Sequence, residues 1–230
     1  MISTAPSGSI ERSEGERQVA PKGSGMSVKL VIIGASLGGF DALKVLVGGL
    51  PPDFATPVVI VQHQGASGAD LSGLLQRYSK LPIEDAEDKA PTSPGRISLA
   101  PAGYHLLVEL ESFALTTEAP VQYARPSIDV TFESAADTYG VGVIGVVLTG
   151  AGRDGAAGLA RIKQRGGRAM VQDPGTAQRR EMPAAALGAV DVDWVGPLAE
   201  IAPTIVAWCR GDAQDRPSRR MAQRESVPRT

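Results

Sequence analysis

The chain has very little cysteine and very little histidine. Its one cysteine, Cys209, excludes an internal disulfide and any cysteine-built metal site, and two histidines are too few for a histidine-rich one. The chemistry is therefore expected to need no metal and no other cofactor. An excess of charge of one sign is also missing. With 23 Lys and Arg against 25 Asp and Glu, mixed along the chain, the net charge of -2 gives no electrostatic footing for nucleic acid or for an anionic membrane. No apolar stretch reaches membrane-spanning length, and the opening MISTAPSGSIERSEGER lacks the basic start and apolar run of a secretory signal, so a cytoplasmic location is expected. Large apolar side chains are nearly absent from residues 1–27, and the final residues are polar. These two stretches, 1–27 and 211–230, are expected to be disordered polar tails around one domain over 28–210, because they cannot offset the entropy of ordering.

The domain is organised around KLVIIGASLGG, from Lys29 to Gly39. Leu30, Val31, Ile32 and Ile33 form an apolar, β-branched run too short for a helix, which predicts a buried parallel strand. Gly34, Ala35, Ser36, Leu37 and Gly38 then spell G-x-S-x-G, and FDALKVLVGGL continues with helical spacing. Ser36 is thus expected on a tight strand-to-helix turn, the setting of a nucleophile elbow, with nearby amides able to receive an oxyanion. The same kind of glycine-rich turn also cradles phosphates, so the partners of the serine have to decide between the two.

Further along, a helix is expected over 38–49, stopped by Pro51 and Pro52, and a second buried strand over Pro57 to Gln62 ending at His63. An amphipathic helix is expected from Ala69 to Lys80, with Leu71, Leu74 and Leu75 on one face. Between Leu81 and Thr117 the segments Arg96 to Ala100, Tyr104 to Leu110 and Phe113 to Thr117 are short, alternating and broken by Pro and Gly, which predicts antiparallel hairpins at the sheet edge. Ser127 is placed to cap a helix to about Tyr139, and Val141 to Leu148 is expected as a central strand. A glycine-rich turn holding Asp154 then opens a helix, Arg168 to Gln172 is a further strand, a short alanine helix follows Pro183, and Pro197 to Arg210 is the last helix. There is no internal repeat. Strands alternating with helices give an α/β fold, a doubly wound and mostly parallel sheet flanked by helices, with a small antiparallel hairpin excursion.

Ligands of such sheets bind beyond the carboxyl ends of the strands. Ser36, His63 and Asp154 each follow a predicted strand, and together they are the parts of a nucleophile, a general base and an orienting acid. Singly, each has a plainer reading as a turn residue, a packing residue and a helix cap. In the catalytic reading, amides near Leu37 and Ala151 receive the oxyanion. His105 opens a predicted edge strand and is expected to be structural. Serine hydrolases of the α/β-hydrolase fold run Ser, Asp, His along the chain, whereas this one runs Ser, His, Asp. A dinucleotide-binding oxidoreductase is the competing class. Gly34, Gly38 and Gly39 do not give G-x-G-x-x-G, and Gln62 and His63 stand where an acid would close the second strand.

IGASLGG around Ser36, VIVQH ending in His63, LAPAGYHL with His105, ARPSIDVTFESAA from Ala124, VVLTGAGRDGAAGL around Asp154 and QDP through to Met182 and Pro183 together resemble the catalytic domain of the CheB family, the bacterial chemotaxis protein-glutamate methylesterases. The resemblance runs from about Val31 to Ala189. It implies a Ser36, His63, Asp154 triad, and hydrolysis of γ-glutamyl methyl esters on the cytoplasmic helices of methylated chemoreceptors, alongside deamidation of receptor glutamines. It also places Arg125 and Met182 near the active site, although Arg125 could equally be a buried ion-pair residue. Family members commonly carry threonine where Leu37 stands and methionine where Ala151 stands, so a hydroxyl contribution is lost and the cleft wall is reshaped. They also commonly carry an N-terminal receiver domain, where only a polar tail precedes Val28. A stand-alone esterase is expected, either open or controlled by a separate regulatory or scaffold protein. A non-catalytic receptor- or scaffold-binding module is the other reading, and the two wall substitutions are its only support.

Overall fold

The computed structural model describes Met1, residues 27–64 and residues 70–211. The tails expected at 1–27 and 211–230 lie outside the described residues, but for Met1, Ser27 and Gly211.

One parallel sheet is built from β1 (Leu30–Ala35), β2 (Val58–Gln62), β3 (Ile83–Asp85), β4 (Ile97–Leu99), β7 (Val143–Val147), β8 (Arg168–Gln172) and β9 (Trp194–Gly196). Their spatial order is β3-β4-β2-β1-β7-β8-β9. The antiparallel pair β5 (His105–Glu109) and β6 (Ser112–Thr116) stands apart from it. The helices are α1 (Gly39–Gly49), α2 (Leu71–Gln76), α3 (Ile128–Tyr139), α4 (Ala156–Gln164), α5 (Glu181–Ala189) and α6 (Leu198–Arg210).

The continuous apolar runs are explained by burial on both sheet faces. In β1, Val31, Ile33 and Ala35 point into the core under α1, α2 and α6, while Leu30 and Ile32 point into the core under α3, α4, α5 and the hairpin. All are fully buried, and each large aliphatic side chain so placed contributes about 1.5–3 kcal/mol. From β1 the chain winds first toward β2, β4 and β3, then returns to add β7, β8 and β9 on the other side. The winding reverses between β1 and β7, which is where an open parallel sheet leaves a crevice beyond its carboxyl ends.

Several expectations need correction. Arg96 to Ala100 is not part of a hairpin: Ile97–Leu99 is a parallel strand between β2 and β3, buried throughout, and only β5–β6 is antiparallel. Its three residues are too few to show a period. The three-residue strands β3 and β9 escape detection for the same reason. The helix expected over Ala69 to Lys80 is confined to Leu71–Gln76, with residues 65–69 outside the described ones. Leu71 and Leu75 face the core but Leu74 is exposed. The strand expected from Val141 begins at Val143, after a 3-10 turn at Gly140–Gly142. Met182 and Pro183 belong to the first turn of α5 instead of preceding it.

Candidate active site

The turns after β1 and β7 meet at the winding reversal. Ser36 N–H donates to Thr149 O at 3.0 Å, and Thr149 Oγ lies 3.0 Å from Leu37 O and 3.2 Å from Arg179 O. Gly38 opens α1 at φ 80° and Gly155 opens α4 at φ 93°, left-handed conformations that a residue with a Cβ seldom adopts. His63 N–H donates to Ala35 O at 3.1 Å, carrying the β1–β2 pairing one residue past β2. Gln62 Nε2 donates to Ser36 O and His63 O, each at 2.9 Å, and so ties the two backbones together.

These constraints bring three of the candidate side chains into one hydrogen-bonded row. His63 Nδ1 lies 3.0 Å from Ser36 Oγ, and His63 Nε2 lies 2.7 Å from Asp154 Oδ2. Asp154 is buried just before α4, yet its carboxylate sits at the N-terminus of α3. It accepts from Ile128 N–H at 2.7 Å, from Asp129 N–H at 2.9 Å and from Ser127 Oγ–H at 3.0 Å. Burial alone would raise its pKa, but the bonds from His63 and from the Asp129 and Ile128 amides outweigh that and hold it below the ordinary carboxylate value. The neighbouring Asp129 is pushed up to about 6, by burial first and then by the charges of Asp154 and Glu133, against the amide bonds from Gly158 and Gly155.

The remaining candidates divide. Leu37 and Ala151 are exposed, and among the described residues their amides donate to no backbone acceptor, so both remain available to an oxyanion. Arg125 lines the same cleft as His63, Ala151, Arg153 and Asp154. Among the described residues its guanidinium makes no ion pair: Nη1 donates to Thr117 O at 2.8 Å and Glu118 O at 3.0 Å. Met182 is buried and donates its amide to Gly150 O at 2.9 Å, with its side chain packed beside Gly150. It stands behind the serine turn, since a Cβ on Gly150 would meet both the Met182 thioether and Ser36 Cβ. His105 is buried in a structural place, accepting Ser127 N–H on Nδ1 at 3.2 Å and facing Ala119 O with Nε2 at 3.2 Å. Gln62, Thr149 and Asp129 also brace this arrangement. Only their position beside candidate residues marks them in the sequence. Among the described residues no cluster of three or more His, Cys, Asp or Glu is arranged to hold a metal ion.

Comparison with known proteins places the chain in a family. Residues 31–205 match the family model described as CheB methylesterase. A relative from Leptospira interrogans is 41% identical over 193 residues, covering 83% of this chain and 100% of its own length. Protein-glutamate methylesterase/protein-glutamine glutaminase 2 of Anaeromyxobacter dehalogenans is 43% identical over 188 residues, 81% of this chain but 55% of that longer protein. The crystal structure of the Thermotoga maritima CheB methylesterase catalytic domain superposes with a TM-score of 0.75 at 32% identity, covering 79% of this chain and 98% of that one. With the sheet order, the matched length and this likeness in hand, the chain belongs to the CheB methylesterase family.

Proposed function

We propose that this chain hydrolyses γ-glutamyl methyl esters on the cytoplasmic helices of chemoreceptors, with Ser36 as nucleophile, His63 as general base and acid, and Asp154 as the group that orients and charges the imidazole. The observation that carries this reading is the Ser36–His63–Asp154 row, with its contacts of 3.0 and 2.7 Å. Ser36 Oγ attacks the ester carbonyl while its proton passes to His63 Nδ1. The carbonyl oxygen becomes an oxyanion between the Leu37 and Ala151 amides, and Asp154 stabilises the imidazolium across 2.7 Å. Collapse breaks the ester C–O bond, and His63 returns the proton to the leaving methoxide, releasing methanol. Water, deprotonated by the same imidazole, then attacks the acyl-serine; glutamate leaves and Ser36 regains its proton. The same sequence with ammonia as leaving group deamidates glutamine, in keeping with the double name of the Anaeromyxobacter relative. No helix among the described residues is long and apolar enough to cross a membrane, which is compatible with action in the cytoplasm.

Methanol release from methylated receptor membranes tests this proposal. Wild-type protein is expected to release it, and Ser36→Ala, which removes one exposed-side oxygen from a turn held by backbone bonds, is expected to abolish release with an unchanged circular dichroism spectrum. Release by Ser36→Ala at the wild-type rate refutes the assignment.

A further inference from the structure

A strap over residues 119–126 contributes Pro120 and Gln122 to Pro126 to the lining of the cleft, and its tip is built against ordinary preference. Val121 and Ala124 exchange both backbone hydrogen bonds, at 3.1 and 2.9 Å, and the two residues between them, Gln122 and Tyr123, stand at φ 49° and 65°. Positive φ at both central residues is the signature of a type I′ turn, which Asn-Gly occupies readily and which neither glutamine nor tyrosine favours. Gln122 has a visible reason to be there. Its Nε2 donates to Asp129 Oδ2 at 2.7 Å, while Asp129 Oδ1 accepts Gly158 N–H at 2.7 Å, so the turn is moored to a buried carboxylate that is itself fixed to α4. The strap is held at its other end by Arg125 on Thr117 and Glu118 and by His105 facing Ala119.

Tyr123 has no comparable reason in the fold. Its relative exposure is 104%, it belongs to neither hydrophobic core, and its hydroxyl bonds to nothing among the described residues. Yet Tyr123 lines the same cleft as His63 and Asp154. An aromatic side chain kept in water, on a backbone that costs energy to hold, beside a reactive row of side chains, points to work done on a ligand. We propose that Tyr123 is a specificity-determining contact for the helix that bears the ester, packing on side-chain stems one turn away from the esterified glutamate, and that Gln122 is the positioning residue that fixes the turn. This rests on the methylesterase reading above. Tyrosine suits the task because it gives a large contact with few rotatable bonds.

Tyr123→Ala, Tyr123→Phe and Gln122→Ala are compared with wild type on methylated receptor membranes and on p-nitrophenyl acetate, which reaches the serine without needing a helix-docking surface. Tyr123→Ala is expected to raise the half-saturating receptor concentration about five- to tenfold with little change in kcat, as loss of one interface aromatic does. Tyr123→Phe restores wild-type saturation, Gln122→Ala shifts it in the same direction as Tyr123→Ala, and hydrolysis of the small ester stays within about twofold in all three. Wild-type saturation in Tyr123→Ala, or equal losses on both substrates, overturns the docking role alone. Wild-type protein that cleaves p-nitrophenyl acetate but releases no methanol overturns the receptor-esterase reading and the docking role with it.

Discussion

Asp154 accepts hydrogen bonds from His63, Ser127 and two backbone amides at once. A carboxylate saturated in this way, with its pKa held low, acts only as an acceptor, so the proton between it and His63 belongs to Nε2. The lone pair of the neutral ring is then on Nδ1, the atom that faces Ser36 Oγ at 3.0 Å. The ring presents Nδ1 to Ser36 and Nε2 to Asp154, which in the proposed triad is the reverse of the Nε2-to-serine arrangement of the chymotrypsin type. The serine itself is positioned as much by a neighbour that lacks a side chain as by those that have one. A Cβ on Gly150 would meet the Met182 thioether and stand 2.8 Å from Ser36 Cβ. Gly150→Ala must therefore push the serine or the buried Met182 aside. A displacement near 1 Å at a reacting atom lowers rate about 100-fold, and that loss in kcat/KM for p-nitrophenyl acetate is the expected result. Activity within a fewfold of wild type shows that the turn is not held by this contact.

At the scale of elements, α3 and α4 cap each other. Asp154, from the turn that opens α4, takes the first amides of α3, and Asp129, from the first turn of α3, takes Gly158 N–H of α4. The two carboxylates have opposite pH signs. Asp154 lies below its unfolded value, so its contribution to stability is present above about pH 3.9 and is lost as pH falls through the folded value. Asp129 is pushed up to about 6, so the folded chain holds that proton more tightly than the unfolded chain does. Its contribution is complete below about pH 3.9 and is lost as pH rises through about 6. Asp129→Asn keeps an acceptor for Gly158 and can still bond Gln122 once that amide turns over. It is expected to exceed wild type in stability at about pH 8 by on the order of 1 kcal/mol, and to match it at about pH 4, as read from urea midpoints. Equal destabilisation at both pH values contradicts this account of the pair. Of the caps at these helix starts, the sequence made only the local one readable: Ser127 as the cap of α3, through its own bond to Val130 N–H. The mutual capping itself joins residues 25 to 29 positions apart, which no local pattern encodes.

At the scale of the whole molecule, the site is a consequence of where the winding reverses. His63 stands 27 residues from Ser36 and 91 from Asp154, yet adjacent parallel strands deliver them to one edge of the sheet. That much was legible, because β1, β2 and β7 are long enough to show as unbroken apolar runs and each ends in a polar residue or a glycine-rich turn. The direction of the imidazole, the bracing by Gln62 and Thr149 and the place of Met182 behind the serine were not legible, since each depends on side-chain packing between distant segments. Labelling with a fluorophosphonate followed by peptide mapping tests most directly whether this edge makes Ser36 a nucleophile. One phosphonyl adduct is expected, on Ser36, and it is expected to disappear in His63→Ala. An adduct on another serine, or undiminished labelling of Ser36 in His63→Ala, contradicts the account.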